Sequence, residues 1–374
     1  MSGIYIHIPF CKSRCYYCDF CSCTDTHLIN DYIETVKLEL IDRKQYISDS
    51  IDTVYFGGGT PSLLDVKQID DVLDVILKNY TVSEQAEITL EANPDDLTKE
   101  KISLLAQSHV NRLSIGVQSF DQNTLKRMNR RHSAKQIFSS ITEAQTFGFE
   151  NIGIDLIYGL PWLTLQNWKI ALNKAKSLNI QHISAYHLTF EQGTVFGNQL
   201  NNGAIIALPE DESCMQYNAL VEWSEKNNYT QYEISNFAVT GKFSKHNSNY
   251  WKQIPYIGVG VSAHSYNGFS RCQNTGLFTE YLKYRQLQGR IYTEEILTDN
   301  DIFNEYLLTG LRTVWGINME IIIEKFGINK AEIIWKSVNK YKKSGHLTID
   351  NQTVKLTTKG FFISDIIISE MFCM

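Results

Sequence analysis

The sequence has no apolar run near the ~20 residues that a membrane-spanning helix needs. Its late Ile-rich stretch, Phe361 to Ile368, is short and broken by Asp365. It has no excess of basic residues: the net charge is −6 and the pI near 5.9. That balance argues against a general nucleic-acid binder, which is usually basic. No secretory leader is visible, since the chain enters a strand pattern at Ile4. A disulfide framework is also missing. Of eight Cys, five crowd between Cys11 and Cys23, a clustering that suggests a metal site in a reducing compartment. The expectation is a cytoplasmic protein with no transmembrane segment, which leaves room for peripheral membrane contact.

What is there reads as alternation. Strand patterns at Ile4–Ile8, Asp52–Phe56, Glu87–Glu91, Arg112–Val117, Ile152–Ile157 and His182–Leu188 are separated by helical periodicity. Asp65 and Thr98 are placed to cap helices, and Gly148 to end one that starts at Ser133. Six strand–helix units predict a parallel sheet with helical crossovers, too few to close an eight-stranded barrel. The predicted fold is an open partial (β/α)6 barrel over residues 1–235. A connecting segment follows at 236–298, with Lys245 to Gly268 read as loop and hairpin. From 299 to 374, three helices and a hairpin turning at Asp350-Asn351 predict a small winged-helix-like domain. It carries no basic recognition helix and is read as structural or substrate-covering.

Chemistry-bearing residues fall at the strand ends, where α/β barrels gather their functional groups. Strand one runs into Cys11-Lys-Ser-Arg-Cys15-Tyr-Tyr-Cys18. A [4Fe–4S] cubane usually takes four Cys. Three ligands would leave one iron open for chemistry, whereas zinc would want a fourth partner that is not evident. Strand two ends in Gly57-Gly58-Gly59-Thr60, where missing side chains allow close backbone approach. Strand three ends at Glu91 and strand four at Gln118, with Arg130 a short connection later. Strand five carries Asp155 among apolar neighbours, costly unless partnered.

Together these stretches resemble a known family. The Cys-x3-Cys-x2-Cys loop is similar to the radical S-adenosylmethionine (SAM) signature. The segments Tyr5–Cys11, Gly57–Ser62, Glu91–Pro94, Ser114–Phe120 and Ile154–Pro161 resemble its coproporphyrinogen dehydrogenase branch. The resemblance runs over nearly the whole chain. It implies the radical SAM partial barrel, a [4Fe–4S] cluster on Cys11, Cys15 and Cys18, and SAM contacts from Tyr5, Gly58, Gly59, Thr60, Glu91, Gln118, Arg130 and Asp155. Carboxylates would meet ribose hydroxyls or the ammonium group, and Arg130 the methionine carboxylate. His187 and His264 match weaker positions.

Two sub-branches diverge here. The dehydrogenase carries a fourth Cys where this chain has Phe20, and a long extension where only ten residues precede Cys11. Both features look like the heme chaperone HemW family. So does His246-Asn247-Ser-Asn-Tyr250-Trp251, which is similar to that family's heme-associated motif. An imidazole is a standard axial ligand. Tyr250 and Trp251 offer flat apolar surface, and Lys245 and Lys252 could meet propionates. Read without the resemblance, His246 as a turn cap and Trp251 as core is the stronger account. The expectation is a chaperone that passes heme to a hemoprotein acceptor, such as a respiratory enzyme, without dehydrogenase activity. The alternative is radical decarboxylation of coproporphyrinogen III propionates. Cys21 and Cys23 are read as bystanders.

Overall fold

The computed structural model describes residues 1–373. Six strands run β1 Ser2–Ile8, β2 Ile51–Gly58, β3 Val82–Ala92, β4 Arg112–Gln118, β5 Ile152–Tyr158 and β6 His182–His187. They lie side by side in chain order, each parallel to the next. Helices α1 Ile29–Asp42, α2 Val66–Asn79, α3 Lys99–Leu105, α4 Gln122–Arg127, α5 Ala134–Thr146 and α6 Leu165–Ser177 make the crossovers. The predicted caps form. Thr98 accepts from Lys101 N and Asp65 joins Gln68 in a capping box; Ser133, not expected as a cap, also accepts from Gln136 N. Gly148 takes φ +96° after α5, as a left-handed helix stop requires. The short α4 fills what the sequence suggested was a bare connection between Gln118 and Arg130.

The sheet does not stop at strand six. Helices α7 Val195–Asn201 and α8 Glu210–Lys226 lead into β7 Tyr229–Gln231 and β8 Asn236–Val239, antiparallel beyond β6. Residues 232–235 make the turn between these two. Helix α9 Lys245–Trp251 replaces expected loop, capped by Ser244 on Asn247 N. Then β9 Tyr256–Val259 pairs parallel with β1, and β10 His264–Tyr266, β11 Ser270–Asn274 and, after α10 Phe278–Tyr281, β12 Tyr292–Ile296 extend that side. Among the described residues twelve strands form this one sheet: residues 236–298 add β8 beside β6, with β7 as the edge beyond it, and β9 to β12 on the other side.

Its core packs Ile4, Ile6, Val54, Leu90, Ile115, Ile154 and Ile183 with the inner faces of the crossover helices. A second core joins α11 Asp299–Leu311, α12 Met319–Phe326 and α13 Ile328–Lys343 to a small antiparallel sheet, β13 Ile317–Asn318, β14 Leu347–Asp350 and β15 Thr353–Leu356. Asn351 and Gln352, both at positive φ, turn the hairpin. Among the described residues no helix is long and apolar enough to cross a membrane.

Candidate functional site

The loop after β1 closes on itself: Cys23 N donates to Pro9 O at 2.8 Å and Cys11 N to Cys23 O at 2.9 Å. Within it, Cys11, Cys15 and Cys18 line a cavity of about 650 Å3 at the C-terminal ends of β1–β6. Thr60 Oγ1 donates toward Cys11 Sγ at 3.5 Å, and Arg130 Nη1 toward Cys15 Sγ at 3.4 Å. Burial pushes the Cys11 and Cys18 thiols up, opposed at Cys11 by the Thr60 hydroxyl and at Cys18 by the Phe20 backbone. Among the described residues no Cys, His and carboxylate side chains are grouped to hold a single metal ion. Three thiols around a cavity, with a guanidinium and a hydroxyl donating toward two of them, fit a body wider than one ion, such as a cubane.

The glycines after β2 are fixed by crowding. Gly58 sits at φ +109°, and a Cβ there would stand 2.6 Å from the His7 ring. A Cβ on Gly59 would meet Phe10 O at 2.8 Å. Gly58 N donates to Glu91 Oε2 at 3.2 Å, while Tyr55 Oη donates to Glu91 Oε1 at 2.7 Å. Burial raises the Glu91 carboxyl to about 7; Asp155 adds to this, and the Tyr55 and Gly58 bonds oppose it. Burial likewise raises Asp155 to about 6, against the Ser184 hydroxyl, Arg112 and Arg130. Both are half-buried acids at one rim. They suit a cationic ligand, whose charge would favour their ionised forms.

At the end of β4, Gln118 takes φ +62° in a tight turn, Ser119 N donating to Val117 O at 2.7 Å. A non-glycine residue there is strained, and such strain clusters at ligand sites. Arg130 Nη2 donates to Gly116 O at 2.6 Å and to Asn93 Oδ1, while its buried Nε has no partner. So the cavity holds Gly58, Gly59, Thr60, Glu91, Gln118, Arg130 and Asp155 with the three thiols, and His187 joins them. Tyr5 lies just beneath, its ring beside Tyr55 and its hydroxyl 3.1 Å from His7 Nδ1.

The comparisons with known proteins place the chain in a family. Residues 5–175 match the model of the radical SAM superfamily, and 297–363 that of the HemN C-terminal domain. The chain is 36% identical to the heme chaperone HemW of Lactococcus lactis subsp. lactis, over 96% of this chain and 94% of that protein. It is 35% identical to the Bacillus subtilis heme chaperone HemW, over 96% of each. This chain belongs to the HemW family. Its fold is also that of the Escherichia coli coproporphyrinogen III oxidase HemN, at a TM-score of 0.86 and 22% identity over 99% of this chain and 90% of that one.

Besides Tyr5 beneath the cavity and His264, which does not line it, one further expected residue of this HemW-family chain stays away from the rim. His246 is 2% exposed, at the opposite end of the barrel. Its Nδ1 lies 2.8 Å from Thr53 Oγ1 and its Nε2 2.9 Å from Tyr250 Oη. Its ring stacks on Tyr55 at 4.9 Å, and burial lowers its pKa to about 3. With both nitrogens engaged inside the fold, it is not available as an axial ligand in this conformation. The flanking lysines are engaged too: Lys245 Nζ donates to Gln85 O, and Lys252 Nζ sits 4.4 Å from the Trp315 ring centroid. His187 and His264 are exposed. Among residues the sequence did not single out, Tyr55 holds Glu91, Asn93 holds Arg130, and Gly116 and Ser114 line the cavity. Asn93 carried a readable signal in Glu91-Ala-Asn93-Pro94; Tyr55, inside an apolar strand, carried none.

Proposed function

We propose that this chain binds a [4Fe–4S] cluster through Cys11, Cys15 and Cys18 and SAM in the cavity above them, and that it holds heme for transfer to a hemoprotein acceptor. The observation that carries the cofactor reading is the meeting of three thiols, two acids and a guanidinium on one cavity. Such an open-site cluster with SAM supplies one-electron reduction of the sulfonium. The chain's own part is positioning. Glu91 and Asp155 offer carboxylates to cationic or hydroxyl groups, and Gly58 and Gly59 keep the floor of the cavity backbone-lined. Arg130, held by Asn93 and Gly116, places positive charge beside Cys15. Whether the sulfonium is cleaved or only held is decided by assaying 5′-deoxyadenosine after anaerobic reduction.

The heme role rests on family membership and on the relatives' function. Its test is a heme titration of purified wild-type protein beside His187→Ala, His246→Ala and His264→Ala, followed by transfer to an apo-hemoprotein. Heme bound and released to the acceptor supports the reading. The second reading, oxidative decarboxylation of coproporphyrinogen III, is favoured by the shared fold with HemN. Protoporphyrinogen formed over many turnovers, with SAM and reductant present, would replace the chaperone reading with that one.

A further inference from the structure

Four rim loops meet at a carboxylate that neither the strand-end pattern nor the family resemblance points to. Asp96 lies on the loop after β3 with its side chain 3% exposed. Its Oδ1 accepts from Lys12 Nζ at 2.9 Å. Its Oδ2 accepts from Arg131 Nη2 at 3.0 Å and from Ser62 Oγ at 3.1 Å. Each donor adjoins a group of the cavity. Lys12 follows Cys11 directly. Arg131 follows Arg130, which reaches Cys15. Ser62 follows Gly59-Thr60-Pro61, and its Oγ also accepts from Asn93 N at 3.0 Å, the residue whose side chain holds Arg130. Arg131 is braced from the other side by Asp95 Oδ2 at 2.8 Å. An exposed ion pair would hold a loop weakly. Here the anion is out of solvent and shared by two cations and a hydroxyl, where charge-assisted bonds are strong and directional.

We propose that Asp96 is the positioning residue of the Cys loop. Through Lys12 and Arg131 it fixes Cys11 against Cys15 and Arg130 before any metal arrives. The inference rests on the reading of Cys11, Cys15 and Cys18 as cluster ligands. Partners that orient ligands in this way commonly change metal affinity by about 10–100-fold.

The test uses full-length wild-type protein, Lys12→Met, Asp96→Asn and the double variant, prepared without oxygen or metal. Amide hydrogen exchange across residues 10–18 is expected to quicken by about tenfold in each single variant, with β5 and β6 unchanged. The double variant should exchange no faster than Asp96→Asn, because Lys12 acts through Asp96. After reconstitution, iron retained against a chelator should fall about 10–100-fold in affinity, and Asp96→Glu should restore part of it. Additive effects in the double variant, or wild-type exchange in Lys12→Met, would overturn the proposal. Should Asp96→Asn fail to fold, Lys12→Met decides alone, since that lysine is largely exposed. A wild-type protein that takes up no cluster would overturn the ligand assignment, while the exchange arm still reads the loop.

Discussion

At the rim of the barrel, Glu91 and Asp155 face an open cavity; at the floor, Glu87 and His246 face groups of the chain itself. The floor is stopped by α9. Glu87 accepts from the backbone N–H groups of Lys245 and His246, both at 3.1 Å, and His246 is closed between Thr53 and Tyr250. Tyr55 joins the two layers, donating upward to Glu91 and stacking downward on His246. Residue types are similar at both ends. The difference lies in where their remaining hydrogen-bonding capacity goes. The floor closes Glu87 and His246 with internal bonds, although Ser248 Oγ and Trp251 Nε1 on α9 stay without a partner, whereas the rim leaves the Arg130 Nε without one beside an open cavity. Polar clusters of the first kind hold structure, and those of the second are built for a ligand.

Substitutions at the two ends should therefore fail in different ways. The largest effect is expected at the rim. Anaerobically reconstituted protein should hold about four irons and four sulfides per chain, and Cys11→Ala, Cys15→Ala or Cys18→Ala should reduce this to background. Cys21→Ala and Cys23→Ala should leave it intact. Iron and sulfide analysis checks both, and a reversed pattern would move the cluster to other thiols. At the floor, His246→Ala should cost about 2–4 kcal/mol in urea unfolding, from a cavity and two stranded hydroxyls. Iron content should be unchanged. If the variant instead keeps full stability and loses heme affinity, the floor opens in solution and the contrast between the two ends is wrong.

The contrast also explains what could be read in advance. All six parallel strands and most crossover helices were legible, because buried β runs alternate with 3.6-residue periodicity, Asp65 and Thr98 announce their helices and Gly148 ends one. The rim was legible for a related reason: strand ends can be located from pattern, and polar residues there stand out. Helix α9 was not. Its seven residues are too few for periodicity to show, and its aromatic and glycine surroundings read as loop. Strands β7 to β12 are three to five residues each and depend on pairing with the existing sheet, a tertiary effect that short runs do not announce. Nor could spacing reveal that His246 points inward, since a motif gives residue order and the packing of the helix decides its direction.

Next in size is Arg130→Ala. It removes a guanidinium from the cavity wall and should weaken SAM binding by roughly 1.5–3 kcal/mol, as for a lost charge-assisted hydrogen bond. Calorimetry on the reconstituted protein measures it. Iron content should hold, because the three thiols remain. Unaltered SAM affinity would show that Arg130 serves Cys15, Asn93 and Gly116 alone, which would make that part of the rim resemble the floor.

The smallest effect is the most specific to an open rim. Glu91 is raised to about 7 and Asp155 to about 6, chiefly by burial, so without ligand both acids are partly protonated near neutrality. A cationic ligand binds their ionised forms. SAM affinity should therefore be highest above pH 7 and fall as pH drops through 7 toward 6, approaching about tenfold per unit for one coupled proton. Binding near pH 6.5 should release protons, read as a dependence of the calorimetric heat on buffer ionisation enthalpy. Stability of the unliganded protein runs the other way. A carboxyl raised above its unfolded value contributes stability that is present at low pH and lost as pH rises from about 4.5 through 7. Glu91→Gln should thus flatten both profiles, weakening SAM binding at pH 8 while making the unliganded protein less sensitive to rising pH. A variant at the floor such as His246→Ala should leave the binding profile as it is. Parallel SAM-affinity profiles for wild type and Glu91→Gln would mean that Glu91 stays closed against Tyr55 and Gly58 when the ligand binds. It would then belong, by its behaviour, with the floor.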